Sequence, residues 1–278
     1  MENIRFIIKD YDKEALGPGN IIKCLISALS VNEDTVVQSY NQYSLGLYDT
    51  VLDDKFIYKG QTDKELERVE TCRLLILRSE EEFQEDLPAH ENWLGGLNNP
   101  KFHHLFSFCR RIDSRFEPEK IHPIVRDRIF GVIDKILFKP IIYEKVEKLS
   151  ESFQTNITLA ISIRTWKANH ETDIHRQYDF NIYKDKILEV LNQHKEINKI
   201  VVSIDNHNYL QDYITFFEEH KLDYILLTKD DDMNDLQYSI VKALTMAKCK
   251  YCIGNRLSTY IELIYWFSRL KVNMYTVY

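Results

Sequence analysis

The sequence predicts an α/β protein of two domains with mostly parallel sheets, and three observations carry that expectation. Short apolar runs rich in Ile, Leu and Val alternate with segments whose apolar residues recur every three or four positions. The alternation is cleanest after Thr155, where strand-type and helix-type segments take turns to the end of the chain. Between about Glu80 and Ser150 it gives way to helical and aromatic signals, which separates an earlier α/β region from the later one. Such alternation implies parallel strands covered by helices on both faces.

Taken in order, "IRFIIK" (residues 4–9) is a buried strand, "DYDKEALGPGN" a glycine loop, "NIIKCLISALSV" a helix and "TVVQSY" (35–40) a second strand. "TCRLLILRS" (71–79) is a further strand. "HHLFSFCRRI", "IVRDRIFGVIDKILF" and "KPIIYEKVEKLSES" read as helical, with Lys139-Pro140 as punctuation. Strands are then expected at 157–163, 199–205, 223–228, 250–254 and 272–277, with helices at 181–195, 207–221, 234–249 and 258–270. A domain boundary falls near 140–152, giving domains 1–145 and 146–278.

Composition narrows the function. A net charge of −7 argues against a nucleic-acid partner, because such affinity rests on a basic face. Cys24, Cys72, Cys109, Cys249 and Cys252 are scattered and odd in number, unlike a disulfide framework. Cys249-Lys-Tyr-Cys252 has redox-motif spacing but leads into an apolar strand rather than opening a helix, so two packed thiols are expected. The opening "MENIRFIIKDYDKE" has no secretory pattern, and no apolar run approaches the ~20 residues of a membrane span. A cytoplasmic location is expected.

Three strand ends in the second half carry polar residues, and ligands of open parallel sheets bind beyond such ends. The strand at 157–163 ends at Arg164, followed by a polar loop with Trp166, Lys167, His170, Glu171 and Asp173. The next ends at Asp205-Asn206, and the strand at 250–254 runs into Asn255-Arg-Leu-Ser258-Thr259 before a helix. Ser258 is a good N-cap, and the amides of the following turn with the helix dipole make a phosphate seat. Arg164 would add a bidentate, permanent positive charge, and Asp205 would accept hydrogen bonds from a base edge or ribose. Together they describe a nucleoside-diphosphate site; an ordinary cap and an Arg164–Asp205 ion pair are the alternative. His170, Asp173 and His175 fit no standard metal spacing, and "DDD" at 230–232 reads as solvated loop charge. No Gly-x-Gly-x-x-Gly or Walker sequence follows any strand.

Stretches in matching order resemble the fucosyltransferase superfamily, which holds nodulation and core α1,6-, protein O- and α1,2-fucosyltransferases. "GPGNIIKCLISALSV" is similar to its N-terminal glycine-Asn loop, "LAISIRTW" to the strand ending in His-x-Arg, and "VVSIDNHNYL" to the strand ending in acidic residues. "DLQYSIVKALTMAKCKYCIGNRLSTYIELIYW" is similar to the C-terminal stretch with its Ser-rich turn. The resemblance implies a GT-B-like fold of two Rossmann-like domains, the first binding the acceptor and the second the nucleotide sugar. It implies an inverting transfer without metal or cofactor, with L-fucose from GDP-fucose as first expectation and a glycan hydroxyl as acceptor. By the same resemblance Arg164 stabilises the leaving diphosphate, and Asp205, Ser258 and Thr259 bind the donor. Gly17, Gly19 and Asn20 face the donor sugar. The general base is open among Asp12, Glu14, Glu171 and Asp173. Ser162 stands where the family has histidine, and Thr165-Trp-Lys167 replaces Arg-x-Asp. Those departures leave two alternatives: another donor such as a UDP-sugar, or a degenerate nucleotide- or glycan-binding protein.

Overall fold

The computed structural model describes residues 5–8, 36–39, 51–53, 75–76, 107–108, 116–120, 123–153, 157–165, 178–229, 231–256 and 258–277, together with Gly19, Ile22, Ile26 and Leu29. The chain divides into two compact units, Met1–Ile142 with Asn234–Gln237, and Tyr143–Met233 with Tyr238–Tyr278.

In the first unit β1 (Arg5–Ile8) lies parallel to β2 (Val36–Ser39), and Gly19, Ile22, Ile26 and Leu29 are helical and buried. Their spacing is that of one helix face turned inward. β3 (Leu75–Ile76) pairs in parallel with β4 (Ser107–Phe108). The second of these corrects the helical expectation for "HHLFSFCRRI". A short apolar run does not declare its period, and here the pairing partner decides. α1 (Pro123–Ile133) follows, and an antiparallel bridge joins Leu52 to Phe138. Pro140 opens α2 (Pro140–Ser150), a position where its missing N–H costs nothing.

The second unit holds a five-stranded sheet in the order β7-β6-β5-β8-β9, every pairing parallel. The strands are β5 (Thr158–Ile163), β6 (Lys199–Ile204), β7 (Tyr224–Leu226), β8 (Tyr251–Asn255) and β9 (Asn273–Val277). The helices between them are α3 (Phe180–Gln193), α4 (Leu210–Glu219), α5 (Asp235–Met246) and α6 (Thr259–Phe267). All five strands and four helices fall where the alternation predicts them.

Residues of β5 are buried along its whole length, which is why it reads as an apolar run rather than an alternation. Leu159, Ile161 and Ile163 share a core with Tyr183, Ile187 and Val190 of α3 and Tyr213, Phe216 and Phe217 of α4. Small residues line the opposite face, where Ser162 pairs in register with Gly254. A Cβ on Gly254 would collide with the Ile261 side chain, so glycine lets α6 approach β8 closely. α5 lies beside α6, tied by the Tyr260 hydroxyl donating to the Ser239 carbonyl at 2.6 Å.

Local chemistry starts these helices. Asp179 caps α3 by accepting from the Asn181 N–H at 2.8 Å. Asn234 and Gln237 form a reciprocal capping box at the start of α5, with bonds of 2.9 and 3.0 Å. α4 and α6 end in Schellman turns that place Lys221 and Arg269 at positive φ, the conformation usually given to glycine. Cys249 and Cys252 are buried free thiols; burial pushes Cys249 up to about 12 and Cys252 higher still, which keeps both protonated and unreactive. Among the described residues no helix is long and apolar enough to cross a membrane, and no group of three His, Cys, Asp or Glu is placed to hold a metal.

Candidate active site

Strand order reverses direction between β5 and β8. The chain leaves β5 toward β6 and β7 on one side, then returns to build β8 and β9 on the other. Beyond the carboxyl ends of β5 and β8 the helices diverge to opposite faces, and this is where open α/β sheets hold ligands.

Arg164 is the first residue past β5. The β5–β8 register (Ser162 with Gly254) and the β5–β6 register (Ile163 with Ile204), continued by one or two residues, set Arg164 level with Arg256 on one side and Asp205 on the other. Neighbouring strands lie about 4.8 Å apart, so the backbones of these three residues form a short row across the crevice. Ser258, buried, closes the turn after β8: its N–H donates to the Asn255 carbonyl at 2.9 Å, and its hydroxyl accepts from the Tyr260 N–H at 3.2 Å. Thr259 opens α6, whose amino end therefore sits at the same edge as Arg164. Register thus brings two arginine positions and the amino end of a helix, its positive pole, to one edge of the sheet in a chain whose net charge is −7. An anion is the ligand such an arrangement can hold.

Two further groups hold the end of β5. The buried Tyr183 hydroxyl accepts from the Arg164 N–H at 3.2 Å and donates to the Ser162 carbonyl at 3.5 Å. The Asp205 carboxylate accepts from the Thr165 N–H at 2.9 and 3.0 Å and from its hydroxyl at 2.6 Å. Beside them Tyr178 and the exposed Tyr209 place their rings 4.6 Å apart.

Of the residues expected from sequence, Arg164, Asp205, Ser258 and Thr259 come together at this edge of the sheet. Gly19, read from the sequence as part of a loop, is helical and buried. Gly17, Asn20, Asp12, Glu14, Glu171 and Asp173 fall outside the described residues, as do Trp166, Lys167, His170 and His175. Ser162 is buried within β5. Asp231 and Asp232 of the acidic run are exposed. Sequence reasoning passed over Arg256 and Tyr183. Arg256 has a signal in hindsight, since it directly follows an apolar strand as Arg164 does; Tyr183 has none beyond its place on the apolar face of α3.

No protein-family model matches this chain, and no curated protein matches it. Solved structures do. POFUT1 in complex with GDP-fucose superposes with a TM-score of 0.54 at 9% identity, covering 99% of this chain and 97% of that one. The fucosyltransferase NodZ from Bradyrhizobium gives 0.55 at 12% identity over 98% of this chain and 94% of its own. NodZ α-1,6-fucosyltransferase soaked with GDP-fucose gives 0.56 at 12% identity, over 98% and 93%.

The fold is that of the fucosyltransferases.

The likeness runs through nearly the whole chain, both the parallel five-stranded sheet and the residues before it. At such low identity the fucosyltransferase fold is shared while most side chains are not, so chemistry has to be argued from the residues at the crevice.

Proposed function

We propose that the protein is an inverting glycosyltransferase that moves a sugar from a nucleoside diphosphate to a glycan hydroxyl without a metal ion, and that the donor is GDP-fucose. The observation that carries this reading is the convergence of Arg164 and the amino end of α6 at the switch point between β5 and β8. The shared fold of two fucosyltransferases, one of them in complex with GDP-fucose, supports the choice of donor.

In the reaction, the acceptor oxygen forms a bond to the anomeric carbon as the bond from that carbon to the diphosphate oxygen breaks. The electron pair leaves on the diphosphate, and the acceptor proton passes to a carboxylate, for which Asp12, Glu14, Glu171 and Asp173 are the candidates. Negative charge grows on the departing oxygen, where a fixed guanidinium and oriented amides stabilise it most in the transition state. Arg164 and the Ser258–Thr259 turn supply these groups. Gly17 and Asn20 would face the sugar, with residues 146–278 binding the donor and 1–145 the acceptor.

Nucleotide release from a panel of GDP- and UDP-sugars tests the reading. Release of GDP from GDP-fucose, accelerated by a glycan acceptor, is expected; release of UDP alone would refute the donor while sparing the reaction type. A second reading, nucleotide binding without turnover, draws on Ser162, which replaces the family's histidine by a small buried side chain. Tight GDP binding with no turnover of any donor would favour it.

A further inference from the structure

We propose that Tyr183 and Asp205 are positioning residues for Arg164, gripping the backbone on both sides of it so that its guanidinium meets the leaving diphosphate at a fixed height. This rests on the transferase reading above. It gives Asp205 a different task from reading a base or ribose.

Residue 164 is where β5 leaves the sheet, so the N–H groups of Arg164 and Thr165 lose their ladder partners and must find others. A long, flexible arginine on a loose strand end would sample many positions. Here both N–H groups are taken by side chains from other elements. The Arg164 N–H goes to Tyr183, whose phenol also donates back to the Ser162 carbonyl, so a single oxygen staples both ends of the dipeptide unit. Tyr183 cannot shift easily: it is fully buried, and its ring stands edge-on to Tyr213 at 6.5 Å and tilted to Tyr178 at 6.2 Å. The Thr165 N–H and hydroxyl both go to Asp205, at the end of the adjacent strand β6.

Those contacts from Thr165 occupy most of the roughly four acceptor sites of a carboxylate. They also span β5 and β6 at the point where the register ends. Both devices act on the chain rather than on a ligand. Their effect should therefore fall on the transition state, where a misplacement of about 1 Å costs about 10²-fold, more than on ground-state affinity.

Steady-state kinetics on Tyr183→Phe and Asp205→Asn, with calorimetric titration of GDP, test the assignment. The expected result is a kcat about 10- to 100-fold lower, with KM and the GDP Kd within about 2-fold of wild type. In an Arg164→Ala background neither variant should lower the residual rate further, because the group being positioned is gone. Amide exchange at Arg164 and Thr165 should quicken in both variants while the rest of β5 stays protected. A weakened GDP Kd with normal kcat in Asp205→Asn overturns the assignment, as do losses that multiply with Arg164→Ala, or unchanged amide exchange. A normal kcat in Tyr183→Phe beside an impaired Arg164→Ala overturns the positioning role alone. A wild-type protein that turns over no nucleotide sugar overturns the transferase reading itself, and the role with it.

Discussion

The two ends of the second unit's sheet are both polar, and they use their polar groups in opposite ways. At the amino end, side chains bond to one another. His194 stacks on Tyr251 with centroids 4.3 Å apart and places Nε2 2.6 Å from the Tyr275 oxygen, while Tyr251 donates to Glu196 at 2.7 Å. Lys250 lies over the Tyr251 ring at 5.4 Å, and Lys199 pairs with Asp223 at 3.0 Å. At the carboxyl end, Tyr183, Asp205 and Ser258 bond chiefly to backbone amides, with the Thr165 hydroxyl as a further partner of Asp205. One end closes on itself and staples elements together; the other fixes where the chain turns and so where charged groups stand. The backbone tells the same story, since every non-glycine residue at positive φ among the described residues (Lys221, Arg269, Leu270) ends a helix at the amino edge. Catalysis needs the second arrangement, and stability is served by the first.

The contrast breaks most visibly at Arg164. Arg164→Ala is expected to lower the transfer rate by ~10²–10³-fold while leaving the thermal transition in place. Arg164→Lys should lose nearly as much, because an ammonium lacks the planar fork that grips a diphosphate. Nucleotide release measured on both variants checks this, and near-normal turnover in the lysine variant would remove the bidentate role.

Gly254→Ala probes how the crevice is built. The added methyl group meets Ile261, so either α6 retreats from β8 or the core repacks, at a cost of about 1–3 kcal/mol. Thermal melting should report that loss, and donor KM should rise because the amino end of α6 moves with Ile261. An unchanged melt would mean that the close approach of helix and strand is not needed.

How far the sequence could be read follows from the same physics. The central strands β5, β6 and β8 declare themselves because both of their faces are covered, which makes each a largely apolar run. Arg164 and Asp205 were legible because a polar residue directly after such a run marks a carboxyl end, and Ser258 because it is a capping residue placed just before a helical period. Tyr183 was not, since it reaches Arg164 across 19 positions and only the packing of α3 brings its hydroxyl there. Of the β3–β4 pair, Leu75–Ile76 lies in the expected strand 71–79, but Ser107–Phe108 was missed for a similar reason: it is too short to show a period, and only its pairing with β3 makes it a strand. Lys221 and Arg269 gave no stop signal because neither is glycine.

That last point yields a smaller effect at the amino edge. Lys221 sits at φ 53°, with the Leu222 N–H bonded to the Phe217 carbonyl at 2.9 Å, the geometry of a Schellman turn. An L side chain in this region costs roughly 1–2 kcal/mol, part of which glycine returns through its larger unfolded-state freedom. Lys221→Gly should therefore stabilise by roughly 0.5–1 kcal/mol in a denaturant titration, with no change in turnover.

The smallest effect, and the one with the sharpest pH signature, lies in the amino-end cluster itself. The Tyr251 hydrogen bond, with help from nearby His194 and Lys250, holds the Glu196 carboxyl below its usual value of 4.5. Burial, then the bond to Glu196, pushes the Tyr251 phenol up to about 12. A depressed carboxyl contributes stability that is present above its unfolded value and lost as pH falls through its folded one. A raised phenol contributes stability that is present below pH 10 and lost as pH climbs toward about 12. Tyr251→Phe removes the phenol's contribution and the largest part of the carboxyl's while keeping the ring against His194. Its stability should fall slightly below wild type near neutral pH, by little because Glu196 is exposed and screened. The gap should close as pH falls below 4.5, and it should shrink or reverse as pH climbs from 10 toward about 12, where the buried phenol of wild type ionises and the variant has nothing to ionise. A gap independent of pH would assign the effect to packing of the phenol ring. An altered kcat would mean that the two ends of the sheet are coupled, which the separate hydrogen-bond sets at the two edges argue against.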